Sequence, residues 1–177
     1  MRTDARDIEY MRKALELARK GEYSTSPNPA VGCVIVKDDE IIGRGFHHLA
    51  GENHAEIEAI KDAGDRTKMA TAYVTLEPCS HQGRTGPCVE ALISAGISRV
   101  VYACGDPNPK VSGTGHRTLC DAGIDVLSGV CEMEALELNQ GFIKRMAKGQ
   151  PYVRLKMAMS LDGAMALASG ESKWITG

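Results

Sequence analysis

The sequence predicts an α/β protein, a three-layer α/β/α sandwich with a mixed, mostly parallel sheet. Three observations predict it. Apolar residues alternate between strand-like runs and stretches at helical spacing. An antiparallel hairpin comes first and helix–strand repeats follow it. Most helical stretches close on a glycine, the usual residue just past a helix end. A hairpin followed by such repeats needs helices on both faces of one sheet.

The elements follow in order. Residues 8–20 place Ile8, Met11, Leu15 and Ala18 at helical spacing, and Gly21 is the stop. "AVGCVIV" and "EIIGRGFH" flank the charged turn "KDDE", which reads as a hairpin. A helix over 54–63 closes at Gly64, and "TAYVTLE" is the next strand. Residues 88–95 form a helix ending at Gly96, "RVVYAC" a strand, and 114–122 a helix ending at Gly123. "IDVLSG" is a last short strand, and one helix is expected over 132–147. From Pro151 the pattern changes to one long apolar strand, a turn over 161–163 and a polar Gly/Ser segment. Such a strand needs neighbours. It is either an extra edge strand of the first sheet or the start of a second domain. The expected organisation is one domain over 1–150 and a fragment of another over 151–177.

With 177 residues, 43% hydrophobic and 25% charged, the chain holds enough material for one well-packed domain and a little more. No apolar run approaches the roughly 20 residues that span a bilayer, and "MRTDARDIEY" lacks the apolar core of a signal peptide. No membrane association and a cytoplasmic location are expected. A formal charge of −2 supplies no overall field toward nucleic acid, and 5% aromatic residues supply little stacking for strand binding. Nucleic acid is therefore not an expected partner.

Six cysteines without a secretion signal argue against a disulfide framework. Cys33 and Cys104 lie in apolar runs and read as core residues, and Cys120 and Cys131 have no histidine at ligand spacing. Cys79 and Cys88 differ. In "TLEPCSHQGRTGPC" two Pro-Cys pairs bracket a polar loop between a strand end and a helix start. Strand ends in α/β sheets are where ligands usually bind, and a helix N-terminus favours thiolate. Upstream, "GENHAEIEAI" sets His54 and Glu56 two residues apart at a helix start. Residues two apart in a helix point roughly 200° from each other, so both serve one site only at the helix mouth. Two thiolates and a neutral imidazole suit Zn²⁺, and three protein ligands leave a fourth tetrahedral position open. Metal ligation by His54, Cys79 and Cys88 then gives Glu56 a role as the acid–base group for a water whose pKa zinc lowers to about 7. A closed structural site with His81 or Cys33 as fourth ligand is the alternative.

His-x-Glu at a helix start followed by Pro-Cys and a second cysteine resembles the signature of zinc nucleobase deaminases, except that eight residues separate the cysteines. That longer loop, with "SPNPAVGCVIV", "GFHHLAGENHAE" and "DPNPKVSGTG", resembles the bacterial bifunctional riboflavin-biosynthesis deaminase/reductase family. The tail "LKMAMSLDG…SGESKWITG" is similar to the opening of that family's reductase domain. Gly86 stands where the family commonly has a proline, and Ala164 where a basic or polar residue is common.

The resemblance implies a cytidine-deaminase-like fold, a Zn²⁺ cofactor and a small phosphorylated pyrimidine substrate. That substrate is 2,5-diamino-6-ribosylamino-4(3H)-pyrimidinone 5′-phosphate, whose ring amine is hydrolysed to a carbonyl. It also implies that Asn28 and His47 face the pyrimidine and that His81, Arg84 and Asn108 shape the pocket and its phosphate end. Lys156, Ser172 and Trp174 match reductase positions that contact substrate or NADPH, a cofactor needed only by the complete reductase domain. A homo-oligomer is left open by the sequence. Two other readings stand beside this one. The chain is a zinc deaminase of another nucleobase or nucleotide, or it is a non-catalytic zinc-stabilised binding module, which would need no Glu56.

Overall fold

The computed structural model describes residues 4–81, 86–108 and 112–171. Its centre is a five-stranded sheet in the order β2-β1-β3-β4-β5. The strands are β1 (Gly32–Lys37), β2 (Glu40–Phe46), β3 (Thr71–Leu76), β4 (Arg99–Cys104) and β5 (Asp125–Ser128). β1 pairs antiparallel with both β2 and β3, while β3–β4 and β4–β5 are parallel. Four strands therefore run one way and β1 runs against them, the mixed sheet that the sequence predicts.

The hairpin turns on Asp38 and Asp39, both at positive φ (51° and 63°). Two left-handed residues give a turn whose twist matches the strands it joins, and aspartate is among the side chains that tolerate it. The helices are α1 (Ala5–Arg19), α2 (Ala55–Ala63), α3 (Cys88–Ser94), α4 (Thr114–Asp121), α5 (Glu132–Leu138) and α6 (Gln140–Lys148). One face of the sheet buries Cys33, Ile35, Val74 and Val100 against Ala59 of α2, Leu92 of α3 and Leu119 of α4. The other buries Val34, Val36, Tyr73 and Val101 against Met11 and Leu15 of α1 and Ala135 of α5. These are the three layers. Glycine allows the closest approaches: a Cβ at Gly32 would collide with the Ala14 carbonyl of α1, and one at Gly45 with the Ala55 carbonyl of α2. The second of these contacts seats the start of α2, and hence His54, against the sheet.

A buried ion pair ties α1 to the sheet. Arg99 of β4 donates two hydrogen bonds to the Asp7 carboxylate (2.8 and 3.0 Å), and the Tyr73 hydroxyl donates a third at 3.0 Å. Burial alone would raise the Asp7 carboxyl, but the bonds from Arg99, the Asp4 backbone and Tyr73 outweigh it and hold it below the ordinary value.

Two expectations are corrected. The single helix over 132–147 is two helices, α5 and α6, interrupted at Asn139 (φ −110°, ψ 24°). The break is physical: Asn139 is buried, and its amide is hydrogen-bonded to the backbone of Ala30 rather than facing solvent along a continuous helix. The tail is not an edge strand either. Residues 151–160 join no ladder, and Val153, Leu155 and Leu161 are exposed. Apolar alternation chooses the face a strand buries, but the ladder itself needs a partner strand. Among the described residues, no helix is long and apolar enough to cross a membrane.

Candidate metal centre and active site

The site is assembled where α2 and α3 begin, beside the end of β3. His54 is the residue before α2, with extended backbone (φ −73°, ψ 162°) and no side-chain capping bond. Its ring is therefore free of the helix it introduces. Cys79 follows β3 and Cys88 opens α3. The Cys88 N–H donates to the Cys79 sulfur at 3.4 Å and the Val89 N–H to the Cys79 carbonyl at 3.2 Å, which stitches the helix start to the strand end. The His54 Nδ1 lies 3.2 Å from the Cys88 Sγ and 3.5 Å from the Cys79 Sγ, and the three ligand atoms fall within 4.8 Å of one another. Two sulfurs and one imidazole nitrogen at these separations fit around a single Zn²⁺. Among the described residues, neither Cys33 nor His81 joins this cluster.

Glu56, in the first turn of α2, is 4% exposed. Burial pushes its carboxyl up to about 7, with the Cys79 thiolate adding to the rise and His54 opposing it. A carboxyl in that range both takes and gives protons near neutral pH. Cys79 is pulled toward thiolate, first by the hydrogen bond from the Cys88 thiol and then by His54, and the same bond pushes Cys88 up. The hydrogen bond to Cys79 also raises His54.

These groups open into a cleft of about 540 Å³ lined by His54, Glu56 and Cys79 together with Asn28, His47, His81 and Asn108. His47 is held in one tautomer. Its Nδ1 donates to the Asn53 carbonyl at 3.0 Å, which leaves Nε2 to accept from the Asn28 amide at 3.0 Å. Burial lowers its pKa, so the ring stays neutral. Arg84, Ser172 and Trp174 lie outside the described residues. Lys156 is exposed in the tail and does not line the cleft.

Sequence reasoning missed four residues here. Glu77, buried beside Cys79 in "TLEPC", accepts backbone N–H bonds from Asp106 (3.3 Å), Gly113 (3.0 Å) and His116 (3.2 Å) and so gathers the loop that carries Asn108. Asp106 accepts from the Asn108 N–H at 2.8 Å, while burial raises its carboxyl. Arg145 is the one arginine or lysine among the described lining residues. Asn139 does not line the cleft but is hydrogen-bonded to Ala30, between the lining residues Pro29 and Val31. The available signals were weak: Glu77 directly precedes a Pro-Cys pair, and Asn139 is a poor helix former inside a helical run.

A His/Cys/Cys donor set at two helix starts beside a buried glutamate is the arrangement that zinc-dependent deaminases use. The chain belongs to the cytidine and deoxycytidylate deaminase zinc-binding family, whose profile matches residues 4–104. The profile of the RibD C-terminal domain matches residues 151–177. The chain is 59% identical over 170 residues to riboflavin biosynthesis protein RibD of Escherichia coli K12, covering 96% of this chain and 46% of that protein. Its structure is similar to that of Acinetobacter baumannii RibD (TM-score 0.93, 61% identity, 97% of this chain and 48% of that one). It is also similar to the diaminohydroxyphosphoribosylaminopyrimidine deaminase/5-amino-6-(5-phosphoribosylamino)uracil reductase of Thermotoga maritima (TM-score 0.92, 45% identity, 97% and 50%). The chain thus spans about half the length of these three relatives.

Proposed function

We propose that this chain carries the deaminase step of riboflavin biosynthesis, hydrolysing the ring amine of 2,5-diamino-6-ribosylamino-4(3H)-pyrimidinone 5′-phosphate to a carbonyl with release of ammonia. The observation that carries the reading is the gathering of His54, Cys79 and Cys88 around one point beside the buried Glu56. The identity to RibD proteins supports the choice of substrate.

His54, Cys79 and Cys88 hold the metal. When bound, Zn²⁺ supplies the Lewis acidity that makes water a nucleophile near neutral pH. Glu56 takes a proton from the attacking water and passes it to the exocyclic amino group, whose C–N bond breaks to release ammonia; the remaining hydroxyl proton moves to the adjacent ring nitrogen as the carbonyl forms. Asn28, oriented by its bond to the neutral His47, presents its remaining amide hydrogen and its carbonyl oxygen to the pyrimidine edge, while His47, whose two ring nitrogens are taken by Asn28 and Asn53, faces the ring as a fixed wall of the cleft. His81, Asn108 and Arg84 shape the remainder of the pocket, Arg84 as a fork for the phosphate.

Residues 1–150 form the deaminase and 151–177 begin a reductase, a division supported by the separate match of residues 151–177. NADPH belongs to that reductase when complete. Exposed apolar side chains such as Val153 and Leu155 favour covering by further chain or by a second copy. Six free cysteines fit a reducing, cytoplasmic location.

Ammonia release from the diaminopyrimidine phosphate, compared with cytidine and guanine, tests the proposal. Turnover of the first far above the other two is expected. Equal or greater turnover of cytidine or guanine would replace this substrate with another nucleobase.

A further inference from the structure

Asn139 is 5% exposed and interrupts what is otherwise a helical run. A buried amide is costly unless its bonds are made, and here they go to a single residue. Its Oδ1 accepts from the Ala30 N–H at 2.8 Å, and its Nδ2 donates to the Ala30 carbonyl at 2.9 Å. Six positions on, the Arg145 guanidinium of α6 donates to the Pro27 carbonyl. The segment 27–30 is thereby pinned at both ends by α5–α6, more than a hundred residues away in sequence.

Asn28 sits between the two pins. Its backbone N–H donates to the Thr25 carbonyl at 2.8 Å, and its side chain donates to His47 Nε2 at 3.0 Å. His47 in turn donates to the carbonyl of Asn53, the residue before the metal-site histidine. Hydrogen bonds at both ends of the short 27–30 backbone, and the Asn28–His47 bond within it, thus link the α5–α6 junction to the wall of the cleft. We infer that Asn139 and Arg145 are positioning residues for deamination, which hold Asn28, and through it His47, in register with the substrate. This rests on the reading that Asn28 and His47 face the pyrimidine. Arg145 also lines the cleft, so Asn139, which does not, gives the sharper test.

The test is steady-state deamination by the 177-residue chain with Asn139→Ala, Asn28→Ala and both together, alongside bound zinc and amide hydrogen exchange. Each single substitution should lower kcat/KM by about 10²-fold, the scale of a displaced positioning contact. The double variant should be no worse than Asn28→Ala alone, because the two act along one route. Zinc content should not change. The Ala30 amide should exchange faster in Asn139→Ala while amides within β1 keep their protection. Arg145→Met, an exposed substitution, should show the same coupling to Asn28→Ala if Asn139→Ala does not fold.

Losses that multiply in the double variant, an unchanged Ala30 exchange rate, or full activity in Asn139→Ala beside an impaired Asn28→Ala would each overturn the clamp. Full activity in Asn28→Ala would instead remove the reading of Asn28 as a substrate contact, and the clamp's role in catalysis would fall with it.

Discussion

His54 stands one residue outside α2 and Glu56 stands in its first turn, and this half-step is what lets two side chains separated by one residue meet at one place. The histidine keeps extended backbone and turns its ring to the sulfurs; the glutamate follows helical geometry into a buried pocket. Glu56→Gln keeps the shape and loses the titrating oxygen. It should retain one zinc per chain and lose at least about 10²-fold in deamination. Near-normal turnover with zinc bound would remove Glu56 from the acid–base role. The coming together of His54, Cys79 and Cys88 beside Glu56 was legible in the sequence because zinc ligation calls for those residue types, whatever the surroundings. Glu77 was not, since its three partners are backbone N–H groups, which leave no mark on the residues that own them.

Helix α1 is fixed to the sheet by apolar contact and by the Asp7–Arg99–Tyr73 group. Because the folded pKa of Asp7 lies below the ordinary 3.8, its contribution to stability is fully present above that pH. It is lost as the pH falls through the lowered folded value. Asp7→Ala, which leaves Arg99 without its carboxylate, should cost about 3 kcal/mol near pH 7. Urea melts across pH should show the gap between the two proteins narrowing below pH 3.8. A gap that stays constant into acid would mean the ion pair is not its source. The hairpin and the glycine-ended helices were legible because their signals are local, as in Asp38-Asp39 at the turn and Gly64 after α2. The break at Asn139 was not, because its cause is Ala30, 109 positions away in sequence. Apolar spacing alone could not reveal it. The tail failed for a related reason: "YVRLKMAMS" has strand composition, but composition does not provide the neighbouring strand.

The described residues form a three-layer sandwich over 5–148 and an exposed segment over 151–171. Among the described residues, the sheet and the six α-helices lie within residues 5–148, and so do the candidate metal ligands, Glu56 and the described lining of the cleft. The exposed segment contributes none of these among the described residues. The candidate zinc site and its cleft are expected to suffice for deamination without the reductase. This sufficiency is tested most directly by ammonia release from the diaminopyrimidine phosphate by the zinc-loaded chain cut after Gly149, measured before and after chelation. Release at the rate of the 177-residue chain is expected, abolished by the chelator and restored by Zn²⁺. A cut chain that folds and holds zinc yet releases no ammonia, or release that survives loss of the metal, would contradict that expectation.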